Sequence, residues 1–170
     1  MWLVVSMTCP VAVAASDSPK AAGATVSPSP ECRLSFMDSA LVKARGLDNR
    51  RLEVVWRLGK RVVKTEMRVT CTTESMNQAL TDAGFSKPEG QWQLAAGSGS
   101  TKADSVETPS WNGVAATYFQ GNVCRAVVGQ ASSGAFRFTL DFCVSESEYK
   151  RFHEQFEHVE RCINVDAAAR

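Results

Sequence analysis

Residues 51–71 alternate so regularly that a β-hairpin is the one local structure that suits them. Leu52, Val54, Trp56 and Leu58 recur at every second position, with Arg51, Glu53 and Arg57 between them. That is the period of a strand with one face in a core and the other in water. Gly59-Lys60 then suits a two-residue hairpin turn with glycine first. The return strand, Arg61 to Cys71, alternates likewise: Val63, Thr65, Met67, Val69 and Cys71 against Lys64, Glu66, Arg68 and Thr70. With that turn Trp56 faces Val63 and Val54 faces Thr65, so both apolar sets share one side. The same register sets Glu53 opposite Glu66 and Arg51 opposite Arg68. Like charges directly opposite repel, so a longer loop with slipped pairing is the competing arrangement.

Downstream, Ser75-x-x-Gln78 has capping-box form, and Met76, Ala79, Leu80 and Ala83 recur at helical spacing up to Gly84. This predicts a helix of about three turns. Phe85 to Pro109 reads mostly as loop, with Gln91-Trp92-Gln93-Leu94 a short strand and Gly97-Ser98-Gly99-Ser100 flexible. Asn112-Gly113, Gly121-Asn122 and Gly129 to Gly134 are turn signals that divide Val106 to Val144 into an antiparallel meander. Its last strand turns Phe136, Phe138, Leu140 and Phe142 inward and Arg137, Thr139 and Asp141 outward. After the capping box Ser145-x-x-Glu148, Tyr149, Phe152, Phe156, Val159 and Ile163 form one helical stripe. Lys150 with Glu154, and Glu157 with Arg161, stand at i,i+4 on its outer face. Burying five large side chains at about 1.5–3 kcal/mol each outweighs such pairs, so the helix should dock on the phenylalanine face of the meander. The expected class is α+β: an antiparallel sheet made of an N-terminal hairpin plus a C-terminal meander, with two helices, the longer C-terminal one packed on one face.

Ahead of this domain, residues 1–15 are uncharged from Trp2 onward and end in Ala12-Val13-Ala14-Ala15. A short apolar run closing on small residues has the form of a removable signal segment, cut after Ala14 or Ala15. It stops short of the roughly 20 apolar residues that a transmembrane helix needs. Residues 16–30 are rich in Ala, Ser, Pro and Gly and read as a flexible leader, which leaves 31–166 as a single α+β domain. Export to the periplasm or outside the cell also suits the cysteines. Once Cys9 leaves with the signal, Cys32, Cys71, Cys124, Cys143 and Cys162 remain as disulfide candidates, with no C-x-x-C pair and no zinc spacing. Five is odd, so two bridges and one leftover thiol are expected.

The sequence carries no catalytic, metal or cofactor signature. His153 and His158 are five residues apart on a helix, roughly 140° around it, and cannot converge on one metal. Neither Gly97-Ser98-Gly99 nor Gln130 to Gly134 has the G-x-S-x-G pattern of a nucleophile elbow, and Gly97 to Lys102 lacks phosphate-loop spacing; both read as loops. Of the cysteines, Cys162 alone stands near an imidazole, His158, and a disulfide is its expected fate. The whole chain has a formal charge of +1, yet the stretch from Lys43 to Arg68 holds nine basic residues and three acidic ones. Outward Arg51, Arg57, Lys64 and Arg68, with Lys60 and Arg61 at the hairpin tip, are the candidate binding residues for an acidic protein partner. Nucleic acid is not an expected partner, since no aromatics interleave with these charges. The functional expectation is therefore an exported non-catalytic binding module, such as an inhibitor or a toxin-neutralising immunity protein. The competing expectations are a small exported hydrolase using paired carboxylates and a structural subunit of a cell-envelope complex.

Overall fold

The computed structural model describes Cys9, residues 23–96 and residues 99–166. Apart from Cys9, the expected signal segment lies outside the described residues, as do the first part of the leader, to residue 22, and Gly97-Ser98. The chain opens with a small hairpin, β1 (Thr25–Ser29) and β2 (Cys32–Phe36). β1 occupies the second half of the stretch expected as a leader. The reason is local: Val26, paired with Leu34, is 1% exposed, and one apolar anchor is invisible in an averaged Ala/Ser/Pro composition.

β3 (Val42–Gly46), β4 (Arg51–Leu58) and β5 (Arg61–Thr72) follow. β4 and β5 pair in the short-turn register, Trp56 with Val63 and Arg51 with Arg68, and Gly59 takes φ +64°, a conformation that favours glycine. Helix α1 (Met76–Asp82) has two turns rather than three. Ser75 accepts the Gln78 N–H at 3.2 Å, but the Gln78 side chain donates to Asp82 at 2.7 Å instead of closing the box. The expected loop that follows contains a small sheet of β6 (Phe85–Ser86), β7 (Gln93–Ala96) and β8 (Gly99–Lys102). Next come β9 (Asp104–Glu107), β10 (Trp111–Phe119), β11 (Val123–Ala131) and β12 (Arg137–Val144). Helix α2 (Glu146–Phe156) and strand β13 (Ile163–Val165) complete the described chain.

Hairpin and meander belong to one seven-stranded antiparallel sheet, in the order β3-β4-β5-β12-β11-β10-β9. They join where Val69 of β5 pairs with Leu140 of β12. β1, β2 and β13 form a second sheet. The domain is mixed α+β, with antiparallel strands predominating. On one face of the large sheet Trp56 lies 5.3 Å from Phe152 and 6.4 Å from Phe142, and Phe142 lies 5.0 Å from Phe156. The other face buries Leu80 and Ala79 of α1 and Phe85 and Leu94 of the small sheet against Val114, Ala116 and Val128.

The C-terminal stripe is buried, but three elements share it. α2 has its full capping box, Ser145 N–H donating to Glu148 at 3.1 Å and Glu148 N–H to Ser145 Oγ at 3.3 Å. Phe152 departs from helical geometry at φ −143°, and the helix ends at Phe156. Val159 sits in a 3-10 turn, Val159–Cys162, and Ile163 begins β13. The expected outer pairs are corrected accordingly. Lys150 bonds Glu146 at 2.6 Å, one turn earlier, and Glu157 accepts the Tyr149 hydroxyl at 2.5 Å. Partial burial and that carboxylate push the Tyr149 phenol up to about 12. One turn signal, Asn112-Gly113, is corrected, and the one at Gly129 to Gly134 is narrowed to the residues after β11, where Gly134 takes φ +74°. Gly113 and Gly129 are cross-strand partners inside β10 and β11; a Cβ on Gly129 would stand 2.3 Å from the Phe138 ring. Glycine is there because an aromatic ring rests on the backbone.

A buried ion pair crosses this core. Arg125 of β11 is 4% exposed and Glu160, in the 3-10 turn, is fully buried. The guanidinium grips the carboxylate through Nη2 at 2.6 Å and Nε at 3.1 Å and donates to Thr117 at 2.9 Å. At the sheet's first edge the outward N–H groups of β3 are occupied from within. Val42 donates to Ser39 Oγ at 3.1 Å and Ala44 to Asp38 Oδ1 at 3.0 Å.

The cysteine count is corrected too. Cys32 pairs with Cys71, Cys124 with Cys143 and Cys9 with Cys162, so no cysteine is left over. The odd count rested on losing Cys9 with the signal. A cut after Ala14 or Ala15 takes Cys9 away and leaves Cys162 unbridged, so the two arrangements differ by one thiol.

Phe156→Ala should destabilise by about 3–5 kcal/mol, since the ring is fully enclosed. Lys150→Ala should stay within about 0.5 kcal/mol despite its ion pair; denaturant unfolding of both variants checks this. Thiol counting on the denatured, unreduced full chain should find no free thiol, and a non-reducing digest should yield the Cys9–Cys162 peptide pair. One free thiol in a chain starting near Ser16 would show instead that the segment is removed.

Candidate functional site

Of the six basic residues singled out from the sequence, Arg51, Arg57, Lys64 and Arg68 lie on the outward face of β4 and β5, and Lys60 and Arg61 lie at the hairpin tip. The like-charged rows that argued for a slipped register are resolved sideways. Glu53 accepts Arg45 Nη2 of β3 at 3.0 Å and lies 3.8 Å from Lys64 Nζ. Glu66 accepts Arg51 Nη1 at 3.3 Å and Arg68 Nε at 3.0 Å. Arg51 also bonds Asp48 at 2.6 Å. The Arg50 backbone N–H, 2.8 Å away, and then the Arg51 side chain hold the Asp48 carboxyl below the usual carboxylate range. Each acid sits between two cations, one diagonal to it across the β4–β5 ladder (Lys64 for Glu53, Arg51 for Glu66) and the other directly opposite on β3 (Arg45) or two residues along β5 (Arg68), so the register needs no slip to escape repulsion. These pairs are exposed and contribute about 0–1 kcal/mol each.

The neutralisation stops short of the tip. Arg57, Lys60 and Arg61 are exposed and make no ion pair among the described residues. Beside them Val62, the partner of Arg57 in the ladder, is 56% exposed. β12 pairs with β5 only from Arg68 to Thr72, and β3 with β4 only up to Trp56. The tip is therefore a two-stranded ribbon projecting beyond its sheet neighbours. The six candidates separate into Arg51, Lys64 and Arg68, bound up in the face, and Arg57, Lys60 and Arg61, presented at the tip. Sequence spacing alone did not make that division, because it depends on acids reaching across from β3 and along the strand.

Next to this face Asp141 of β12 stands opposite Arg68 and accepts the Tyr118 hydroxyl at 3.4 Å. Loss of solvent at the sheet surface raises the Asp141 carboxyl above its ordinary value, against the Tyr118 hydrogen bond and the Arg68 charge. The same loss of solvent, with Asp141 nearby, raises the Tyr118 phenol. The contact is carboxylate to phenol, whereas glycosidic chemistry calls for paired carboxylates.

The other candidates stay apart. His153 and His158 are exposed, and Cys162 is tied to Cys9. No cluster of metal-ligating side chains occurs among the described residues. Gly99 to Lys102 is strand β8 rather than loop, because it pairs along β7 from Ala96–Gly99 to Gln93–Lys102. No described helix is long and apolar enough to cross a membrane.

Because its folded-state value is raised, Asp141 disfavours the folded state when ionised, and this penalty is relieved as pH falls through that raised value. Asp141→Asn should therefore match or exceed wild-type stability at pH 7, and the difference should shrink on acidification toward the ordinary value of 3.8. Denaturant midpoints across that range check the sign. No family model matches this chain, and no curated protein matches it.

Proposed function

We propose that this chain is an exported, non-catalytic binding module of the inhibitor or toxin-neutralising kind, and that its hairpin tip docks on the acidic surface of a protein partner. Disulfides suit an oxidising compartment, periplasmic or extracellular, and two of the three, Cys32–Cys71 and Cys124–Cys143, do not involve the segment expected to be cut away. The observation that carries the docking reading is the unequal treatment of the basic residues. Three are tied to acids on their own sheet, while Arg57, Lys60 and Arg61 meet no acid among the described residues at the outermost point of a projecting ribbon. Unpaired cations at a rim steer encounter and raise association rates. Val62 gives the same tip an apolar contact that excludes water on docking.

A photo-crosslinker at position 62, with one at Ser147 as control, should capture a protein of acidic surface from envelope or culture fractions. With that purified partner, Arg57→Glu combined with Arg61→Glu should slow association by about tenfold or more at low salt and flatten the salt dependence, with dissociation little changed. Arg51→Gln, whose charge is already shared between Asp48 and Glu66, should have the smaller effect. Unaltered association in the double reversal would reduce the tip to a solvated hairpin end.

A further inference from the structure

Away from the hairpin, a groove of about 340 Å³ opens between α1, the Lys87 to Trp92 segment and the paired strands β9 and β10. That volume is at the low end of small-molecule sites, which run from about 300 to 1,000 Å³. Leu80 and Val114, both buried, contribute its apolar floor, and the half-buried Trp92 an aromatic wall. The β9–β10 register sets Glu107 directly opposite Asn112. A carboxylate and a carboxamide thus stand side by side on one sheet face, held by the ladder rather than by a mobile loop. Asn77 of α1 and Lys87 face the same space, with the Lys87 ammonium 5.5 Å from the Trp92 ring centre.

The side chains of Asn77, Glu107 and Asn112 make no hydrogen bond or ion pair to protein among the described residues, and Lys87 meets only the Trp92 ring, so the hydrogen-bonding capacity of all four is free for a ligand. One cation and one anion leave the groove without net charge, which disfavours phosphates and polyanions. An aromatic face beside several unspent donors and acceptors suits a molecule with an apolar C–H face and a ring of hydroxyls. We infer that this groove is a binding site for a neutral saccharide, one or two pyranose rings in extent. Trp92 packs on the C–H face of a ring, the Glu107 carboxylate accepts from adjacent hydroxyls, and the Asn112 amide donates and accepts beside it. The site lies in a different part of the fold from the hairpin tip and does not depend on it.

The probes are neutral oligomers of glucose, mannose and N-acetylglucosamine, with a uronic-acid oligomer and an unrelated neutral peptide as contrasts. They are titrated into the isotope-labelled full chain while the indole N–H resonances are followed. At least one neutral oligomer should shift the Trp92 indole and bind with a dissociation constant of about 1 mM or tighter. Trp92→Ala and Glu107→Gln should each weaken that binding by about tenfold or more, while Trp92→Phe, which keeps an aromatic face, should retain most of it. Should Trp92→Ala unfold, Asn112→Ala, altered at an exposed strand position, takes its place with the same expectation. The double reversal of Arg57 and Arg61 should bind the sugar as wild type does, which separates this site from the hairpin. The inference fails if no neutral oligomer moves the Trp92 indole at about 10 mM. It fails equally if binding survives these groove substitutions, or if only the uronic-acid oligomer or the peptide binds.

Discussion

Four aromatic side chains hold the two halves of this domain together. Trp56 comes from the hairpin, Phe142 from the last strand of the meander, and Phe152 and Phe156 from α2, all four almost wholly enclosed. Their ring centres lie 5.0–6.5 Å apart at tilted or edge-on angles, the arrangement aromatic quadrupoles favour. The β5–β12 ladder that joins the halves is only five residue pairs long. In the aromatic cluster, burial worth about 1.5–3 kcal/mol per side chain ties three sequence-distant segments into one core. Trp56 Nε1 is buried with no hydrogen-bond partner among the described residues.

The segment after α2 is secured by a different device. The Arg125–Glu160 pair and the Trp111 indole, which donates to the Ile163 carbonyl at 2.9 Å, both fasten the 3-10 turn and β13 to the large sheet. Buried ion pairs often gain little over apolar packing, but losing one partner strands a charge in a dry core. This one fixes how the chain leaves α2 more than it adds stability.

The parts of this fold legible in the sequence are those where a single period governs many residues. Period two and a glycine at the turn gave the hairpin down to its register. A capping box and a stripe of aromatics gave α2 and the face it buries, though not its end. A stripe written for a helix can be satisfied by a helix, a 3-10 turn and a strand in succession, because what is selected is burial of Val159 and Ile163, not their geometry. Gly113 and Gly129 read as turns because the ring resting on Gly129 belongs to Phe138, nine residues away. Arg125 with Glu160 was invisible for the same reason: both types are usually exposed, and only a contact across 35 positions buries them together. Of the candidate sites, the basic hairpin was legible as composition and its unpaired tip was not. Trp92 lay in the short strand expected over Gln91 to Leu94 and stands just ahead of β7, and its meeting with Asn112 and Glu107 is a product of topology.

The edge strand β3 has a consequence for self-association. Its outward N–H groups at Val42 and Ala44 are already taken by Ser39 and Asp38, so a strand arriving there finds its donors engaged. The far border of the sheet, β9, carries no such stopper among the hydrogen bonds of the described residues. Strand-upon-strand growth of the large sheet is thereby opposed at its β3 border, the occupied donors serving as an edge guard written into the Asp38–Ser39 approach to the strand.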